Sequence, residues 1–408
     1  MLNLQTIQFL YIMKKILSFC FILSLCFPVF SQDDQTDKSQ SDAFQFTTVK
    51  EISVTPVKNQ ASSGTCWSFS GLGMIEAELL RMGKGEFDLS EMFIVHKNYQ
   101  DKAMKYVRMH GETNFAGGGS FADVLDCIRD HGIVPDAVLT GLNYGETSHR
   151  HGELDNLSKS YIGAVIKNRK LSTAWLEGFK GILDAYLGSC PDEFTYEGKK
   201  YTPQSFAAYL GINPEDYISI TSFTHHPFYT AFPIEIPDNW RWALSYNVPM
   251  NEMMEIVDNA IDKGYTVAWA TDVSEKGFNR QGIAVVPDVE AKEGPGSDQA
   301  HWLGLSSKER EARIADLKSP TPEKTITQEM RQEAFNNYET TDDHGMLIYG
   351  NATDQNGTKY YLVKNSWGTE NPYKGTWYAS VPFVQYKTVS IVLHKDALPK
   401  QIKNKLGL

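Results

Sequence analysis

The stretch Pro56-Val57-Lys58-Asn59-Gln60-Ala61-Ser62-Ser63-Gly64-Thr65-Cys66-Trp67 runs from a polar loop into a helix. Beyond it Trp67, Phe69, Leu72, Ile75, Leu79 and Leu80 recur at helical spacing, and Gly83 and Gly85 close the run. Cys66 therefore falls on the first helical turn. Unpaired backbone N–H groups and the helix dipole favour an anion there, so a thiolate of lowered pKa is expected. Gln60, on the loop, carries an amide that can donate to an oxyanion, with the backbone N–H of Cys66 as second donor. Alone, such a cysteine is more often buried apolar filling. Two later segments change that reading.

Asp342-Asp343-His344-Gly345-Met346-Leu347-Ile348-Tyr349-Gly350 puts a histidine at the head of an apolar run that reads as a strand. A thiolate nucleophile needs an imidazole, first as counter-ion and then as the acid that protonates the leaving amine. Tyr361-Leu362-Val363-Lys364-Asn365-Ser366-Trp367-Gly368 reads as a strand ending in a turn. The side-chain carbonyl of Asn365 can hold one nitrogen of His344 and leave the other for Cys66, with Trp367 shielding the bond. With ten histidines in the chain, His344 alone would carry little weight. The three segments together carry much more.

Working outward, Ser90 precedes a helix over 91–108, and Gly117-Gly118-Gly119-Ser120 opens another that Gly132 stops. The glycines permit close backbone approach, though a plain helix-leading loop reads the same way. Residues 143–213 are mainly helical and charged, 228–242 aromatic and Pro-rich, 251–263 an amphipathic helix and 265–272 strand-like. Residues 290–325 are polar and read as an exposed insertion. Strands are expected at 346–349, 359–364, 375–382 and 388–394.

Lys14-Lys15, the apolar run Ile16 to Phe30 and the end Val29-Phe30-Ser31 read as a signal peptide over 1–31, with Met13 as the more usual start. Export to the periplasm or beyond is expected. The apolar run is shorter than the roughly 20 residues of a spanning helix, so no membrane association is expected after cleavage. Residues 32–45 read as a disordered leader. The chain of 408 residues carries a net charge of -11 and no basic aromatic stripe, which argues against nucleic acid as a partner. Cys66, Cys127 and Cys190 remain after the leader, an odd number that leaves at least one free thiol. Self-association stays open.

The arrangement resembles the papain superfamily: Ser63-Gly64-Thr65-Cys66-Trp67, a histidine at a strand start, then Lys364-Asn365-Ser366-Trp367-Gly368. Within it the chain is more similar to the bleomycin hydrolase and bacterial aminopeptidase C branch. Cys66 and His344 are 278 residues apart, against roughly 130–150 in papain-type chains. The leader is too short for a long inhibitory propeptide, and Ser63 stands where papain-type enzymes often carry a disulfide cysteine. The resemblance implies an α+β, papain-like two-lobe fold over 46–398, with a helical N-terminal lobe, a β-rich C-terminal lobe and a helical insertion over about 143–325. It implies a cysteine-type peptidase acting through a thioester, most simply an aminopeptidase, with peptides as substrates and no metal or cofactor. Cys66, His344, Asn365 and Gln60 would be its catalytic groups, and Gly118, Gly119 and Trp367 its substrate contacts. An endopeptidase or dipeptidyl-peptidase is the alternative, and an inactive papain-like binding protein a remote one.

Departures accompany the resemblance. The branch has Thr-His-Ala-Met and Glu-Asn-Ser-Trp-Gly where this chain has Asp343-His344-Gly345-Met346 and Lys364-Asn365-Ser366-Trp367-Gly368. Members also carry a C-terminal arm whose carboxylate receives the substrate ammonium, whereas the tail 399–408 is short and basic. Either an acidic element elsewhere, such as the 290–325 stretch, takes that role, or the cleft is open. The branch is usually cytosolic.

Overall fold

Strand β1 (Thr47–Glu51) leads into the loop before α1 (Cys66–Arg81) in the computed structural model, which describes residues 43–289, 302 and 304–408. The expected signal peptide and most of the leader lie outside the described residues. After α1 come α2 (Glu91–Arg108) and α3 (Phe121–His131). Ser90 caps α2 by accepting from the N–H of Phe93, and Asp123 accepts from the N–H of Ser120 at the start of α3. Helices α4 (Gly152–Val165) and α5 (Ala174–Leu187) follow. A hairpin of β2 (Phe194–Tyr196) and β3 (Lys199–Tyr201) turns on Glu197 and Gly198, both at positive φ, as a two-residue hairpin turn requires. Helix α6 (Pro203–Leu210) completes this part.

The chain then enters the sheet. In order come β4 (Tyr217–Thr221), β5 (Ala231–Pro233), β6 (Leu244–Asn247), α7 (Met250–Asp262), β7 (Val267–Thr271), β8 (Ile283–Ala284), α8 (Ser307–Ala315) and α9 (Gln328–Asn336). They are followed by β9 (His344–Thr353), β10 (Lys359–Lys364), β11 (Thr376–Ser380), α10 (Val381–Lys387), β12 (Thr388–His394) and α11 (Lys400–Leu406). The strands order as β5-β6-β4-β12-β7-β9-β10-β11-β8, with β1 pairing β9.

Strand alternation divides the core. Ala268, Leu347 and Val392 face the helices α1 to α6, while Trp269, Met346, Ile348 and Ile391 face α7, α10 and α11. Each buried Leu, Ile or Met on these faces contributes roughly 1.5–3 kcal/mol of transfer free energy. The helical N-terminal lobe and β-rich C-terminal lobe agree with expectation. The stretch 143–325 differs from a purely helical insertion: it is helical from Gly152 to Leu210, but β4 to β8 join the main sheet. Of these, β7 falls within the strand-like run expected at 265–272; the others are two to five residues long, too short for periodicity to mark against irregular chain. Of 290–325, the described part includes α8.

Helix α1 lies across β9, Thr271 at the end of β7 pairs with His344 at the start of β9, and Lys364 at the end of β10 pairs with Leu347. The N-terminus of α1, the start of β9 and the end of β10 are thereby brought to one place.

Candidate active site

Cys66 and His344 line one pocket between the lobes, with Trp67, Gly119 and Gly345 beside them. The thiol lies against the backbone N–H groups of Gly345 and Trp67. His344 Nε2 is 2.8 Å from Asn365 Oδ1. That same oxygen accepts from the backbone N–H of Ser366 at 2.7 Å. A backbone N–H can only donate, so this atom is the amide oxygen and His344 Nε2 must carry the proton. The other ring nitrogen, Nδ1, is then the basic one. Trp367 covers the imidazole, ring centres 4.6 Å apart, and His344 and Asn365 are both buried.

The histidine is held from both sides. Asp343, immediately before it, accepts from the N–H of Val273 at 2.8 Å and from the Ser274 hydroxyl, tying the start of β9 to the loop after β7. The Gln60 side-chain oxygen accepts from the Ser366 hydroxyl at 2.6 Å, and the Gln60 backbone N–H donates to the Ser366 carbonyl at 2.8 Å. With its oxygen engaged, the Gln60 amide nitrogen remains as the donor end. The Cys66 carbonyl accepts from the Ser70 hydroxyl at 2.6 Å.

The electrostatics differ from the sequence expectation. Burial pushes the Cys66 thiol up to about 12, opposed by the Gly345 N–H and aided by the charges of Asp342 and Asp238. Burial takes His344 down to about 4 against the hydrogen bond it donates to Asn365. A lowered thiol pKa was expected from the helix terminus; at Cys66 desolvation outweighs the dipole. Burial favours the neutral form of each group taken singly, and a thiolate and an imidazolium here would each favour the other's charge.

Two further acids border the pocket. Asp342, at its edge before β9, is pushed up to about 8 by burial, Asp238 and Asp343. Burial also raises Asp238, which Lys102 moderates and whose Oδ1 accepts from the Asn114 amide at 3.1 Å. Asp238 rides on a built loop. The next residues are anchored to Asp123 on α3: Trp240 Nε1 donates at 3.1 Å and Arg241 Nε at 2.6 Å. Asn239 bridges the loop's two ends through Ile234 and Ala243. This explains Gly118: a Cβ there would stand 2.1 Å from the Asp238 carboxylate. At Gly119 a Cβ would meet the Trp67 ring at 2.9 Å. The Gly118 carbonyl is engaged by Lys102 Nζ at 2.5 Å.

Both departures from the related motifs have a packing cause. A Cβ on Gly345 would come within 2.9 Å of Ser70 Oγ and 3.2 Å of the Phe121 ring. Lys364 Nζ donates to Thr55 Oγ1 at 2.9 Å, beside the carboxylate of Glu76 that Thr55 itself donates to at 2.6 Å. Glu76 and Glu91 already supply the negative charge at that place, with Lys58 2.7 Å from Glu91, so a basic residue fits. Cys66, Cys127 and Cys190 are all free thiols. Helix α11 is engaged with α7, Lys405 to Glu252 at 2.6 Å and Gln401 to Glu255 at 2.6 Å.

A helix-borne cysteine and a strand-borne histidine–asparagine pair across two lobes define the thiol peptidase architecture. The sequence profile of the papain family cysteine proteases matches residues 41–160, and that of the peptidase C1-like family residues 306–407. The chain belongs to the papain-type C1 cysteine peptidases, in the C1-like branch of aminopeptidase C and bleomycin hydrolase. It is 23% identical over 401 residues to an aminopeptidase C of Lactobacillus delbrueckii subsp. lactis, covering 86% of this chain and 82% of the relative. It is 21% identical over 422 residues to cysteine proteinase 1, mitochondrial, of Saccharomyces cerevisiae, covering 91% and 81%. The crystal structure of PepW from Lactobacillus rhamnosis superposes with a TM-score of 0.66 at 20% identity, covering 88% of this chain and 84% of that one. The α+β papain-like fold is thereby established.

Proposed function

We propose that this chain is an exported cysteine aminopeptidase, with Cys66 as nucleophile, His344 as base and acid, Asn365 as the group that orients the imidazole, and Gln60 with the Cys66 N–H as oxyanion donors. His344 Nδ1 takes the thiol proton and the sulfur attacks the scissile carbonyl. The tetrahedral oxyanion collapses, the C–N bond breaks, and the amine leaves with the imidazolium proton. Water, deprotonated by Nδ1, then hydrolyses the thioester and frees the thiol and the acid. The leader pattern at 14–31 supports export.

The observation that carries the exopeptidase reading is the pair of carboxylates, Asp342 and Asp238, on the pocket that holds the thiol. Lys102 already lowers the Asp238 pKa, whereas no cation is among the influences on Asp342. A substrate ammonium would be the counter-charge that Asp342 lacks, and a charge-assisted contact is worth about 1.5–3 kcal/mol. That corresponds to a preference for free N-termini of roughly tenfold to a hundredfold. These acids, from the stretch before β9 and the loop after β5, would supply the acidic element for which 290–325 was one expected source, the alternative being an open cleft. The engagement of α11 with α7 favours a second reading, in which the cleft accepts longer chains. One peptide offered with a free and with an acetylated N-terminus, its products read by mass spectrometry, decides between them. Release of single N-terminal residues from the free peptide alone supports the proposal. Equal internal cleavage of both peptides overturns it.

A further inference from the structure

The loop after β4 carries His225 and His226, and Glu235 follows β5. His225 Nε2 is 3.1 Å from Glu235 Oε2, and His226 Nε2 is 3.0 Å from Glu235 Oε1. One ligand atom from each of the three residues falls in a group no more than 4.8 Å across. The rings are braced: His226 stacks on Phe232 with centres 4.0 Å apart, and His225 lies parallel to Phe335.

The bonding on the far side of His225 makes this more than an ion pair. Gln332 Oε1 accepts from the backbone N–H of Thr224 at 2.5 Å and of His225 at 3.3 Å, while its amide nitrogen donates to Asn336 at 2.9 Å. The atom is therefore the oxygen, and it also faces His225 Nδ1 at 3.3 Å. An acceptor there requires Nδ1 to carry the proton. With Nδ1 donating to Gln332, Nε2 can face the carboxylate oxygen either through a second ring proton or through a cation set between the two. The cation would take the Nε2 lone pair and the carboxylate as ligands and leave Nδ1–H donating to Gln332, the outer hydrogen bond that metal-bound imidazoles adopt.

We propose that His225, His226 and Glu235 form a site for a divalent transition ion of the Zn²⁺ type, held by two imidazole nitrogens and one carboxylate and completed by water. Ligands bound at about 2.0–2.1 Å in tetrahedral geometry stand roughly 3.3–3.4 Å apart. The two histidine–carboxylate separations, 3.1 Å to Oε2 and 3.0 Å to Oε1, are close to that figure, and the three ligand atoms lie within 4.8 Å of one another. The donor set, two nitrogens and a carboxylate, suits Zn²⁺ and excludes a dedicated Ca²⁺ or Mg²⁺ site. The side chains are 29%, 35% and 57% exposed, which leaves room for the water ligand. Ile236 and Asp238, which border the cleft, follow Glu235 directly. An ion here would clip the root of the loop that carries them.

The test uses the full-length mature chain with Cys66→Ala, so that the nucleophile cannot take up metal. After chelator treatment and dialysis, ZnCl₂ is titrated in by calorimetry and the thermal midpoint is followed. The expected result is one equivalent bound with a raised midpoint. In His226→Ala and in Glu235→Gln, each checked for native circular dichroism without metal, affinity should fall at least about tenfold. Co²⁺ in place of Zn²⁺ should give the intense visible absorption of a four-coordinate ion, lost in the same variants. No binding, or binding unchanged in both variants, overturns the site and leaves a histidinium–carboxylate cluster.

Discussion

Replacing Asn365 by alanine tests the tautomer argument at its centre. The substitution removes the oxygen that His344 Nε2–H meets at 2.8 Å in a buried setting. A buried donor left without a partner costs about 1–3 kcal/mol. If that penalty falls on the imidazolium of the transition state, kcat/KM should drop roughly 5- to 150-fold, at about 1.4 kcal/mol per decade. His344→Ala removes the proton carrier itself and should cost at least 10²–10⁴-fold, the usual range for general acid–base catalysis. The pH profile gives a second readout. The Asn365 hydrogen bond raises the His344 pKa, so its loss should move the basic limb, where the imidazolium proton is lost, to lower pH. Ser366 also loses the acceptor of its N–H, which should lower the melting temperature independently of turnover. The assay is kcat/KM on a fluorogenic aminoacyl amide from pH 4 to 10, with thermal melts in parallel. Equal losses in the two variants, or an unmoved basic limb, refute the reasoning.

The other expectations are simpler. Cys66→Ala should abolish hydrolysis, and iodoacetamide should label Cys66 before Cys127 and Cys190 in the active enzyme; peptide mapping after brief alkylation decides, and turnover by the alanine variant rules the nucleophile out. Asp342 has its folded pKa raised to about 8, against about 3.9 when unfolded. The folded chain therefore holds this proton more tightly, and stability is lost as pH rises from about 4 to about 8. Asp342→Asn should melt progressively higher than wild type across that window and equal to it near pH 4, and parallel melting curves would count against the assignment. Gly345→Ala would push a methyl against Ser70 and Phe121 and should cost about 1–3 kcal/mol of stability by overpacking, measured by urea denaturation; a variant as stable as wild type would show that the pocket yields.

Much of the fold was legible because its decisive elements are periodic. The apolar spacing after Cys66 gave α1, and the runs after His344 and before Asn365 gave β9 and β10. That Cys66, His344 and Asn365 come to one place was legible for the same reason, since each sits at the end of such an element. Asp238 was not legible. It lies in an irregular loop whose position depends on Trp240 and Arg241 meeting Asp123, more than a hundred residues away in the chain, and a single sequence has no local pattern that reports such a pairing. Asp342 was in plain view beside His344, but whether it faces solvent or cleft is decided by Asp343 bonding to Val273 and Ser274. The short strands β5 and β8 escaped because two or three residues cannot express a period.

The thiol expectation failed for a reason that bears on specificity. A helix N-terminus lowers a thiol pKa when the thiol stays hydrated; here desolvation is the largest influence on both Cys66 and His344. Once ionised, the two acids add negative field to the thiol, Asp342 only as pH rises through about 8, and that field works against thiolate formation in the empty cleft. An ammonium seated between Asp342 and Asp238 would cancel that field. The substrate that the acids select would thus also ease ionisation of the nucleophile that cuts it, and a blocked N-terminus would forgo both effects. Binding preference and reactivity would then change together when Asp342 is replaced by asparagine: KM for free N-termini should rise, while Cys66 alkylation in the empty enzyme should become faster above pH 8, where the wild-type acid is ionised.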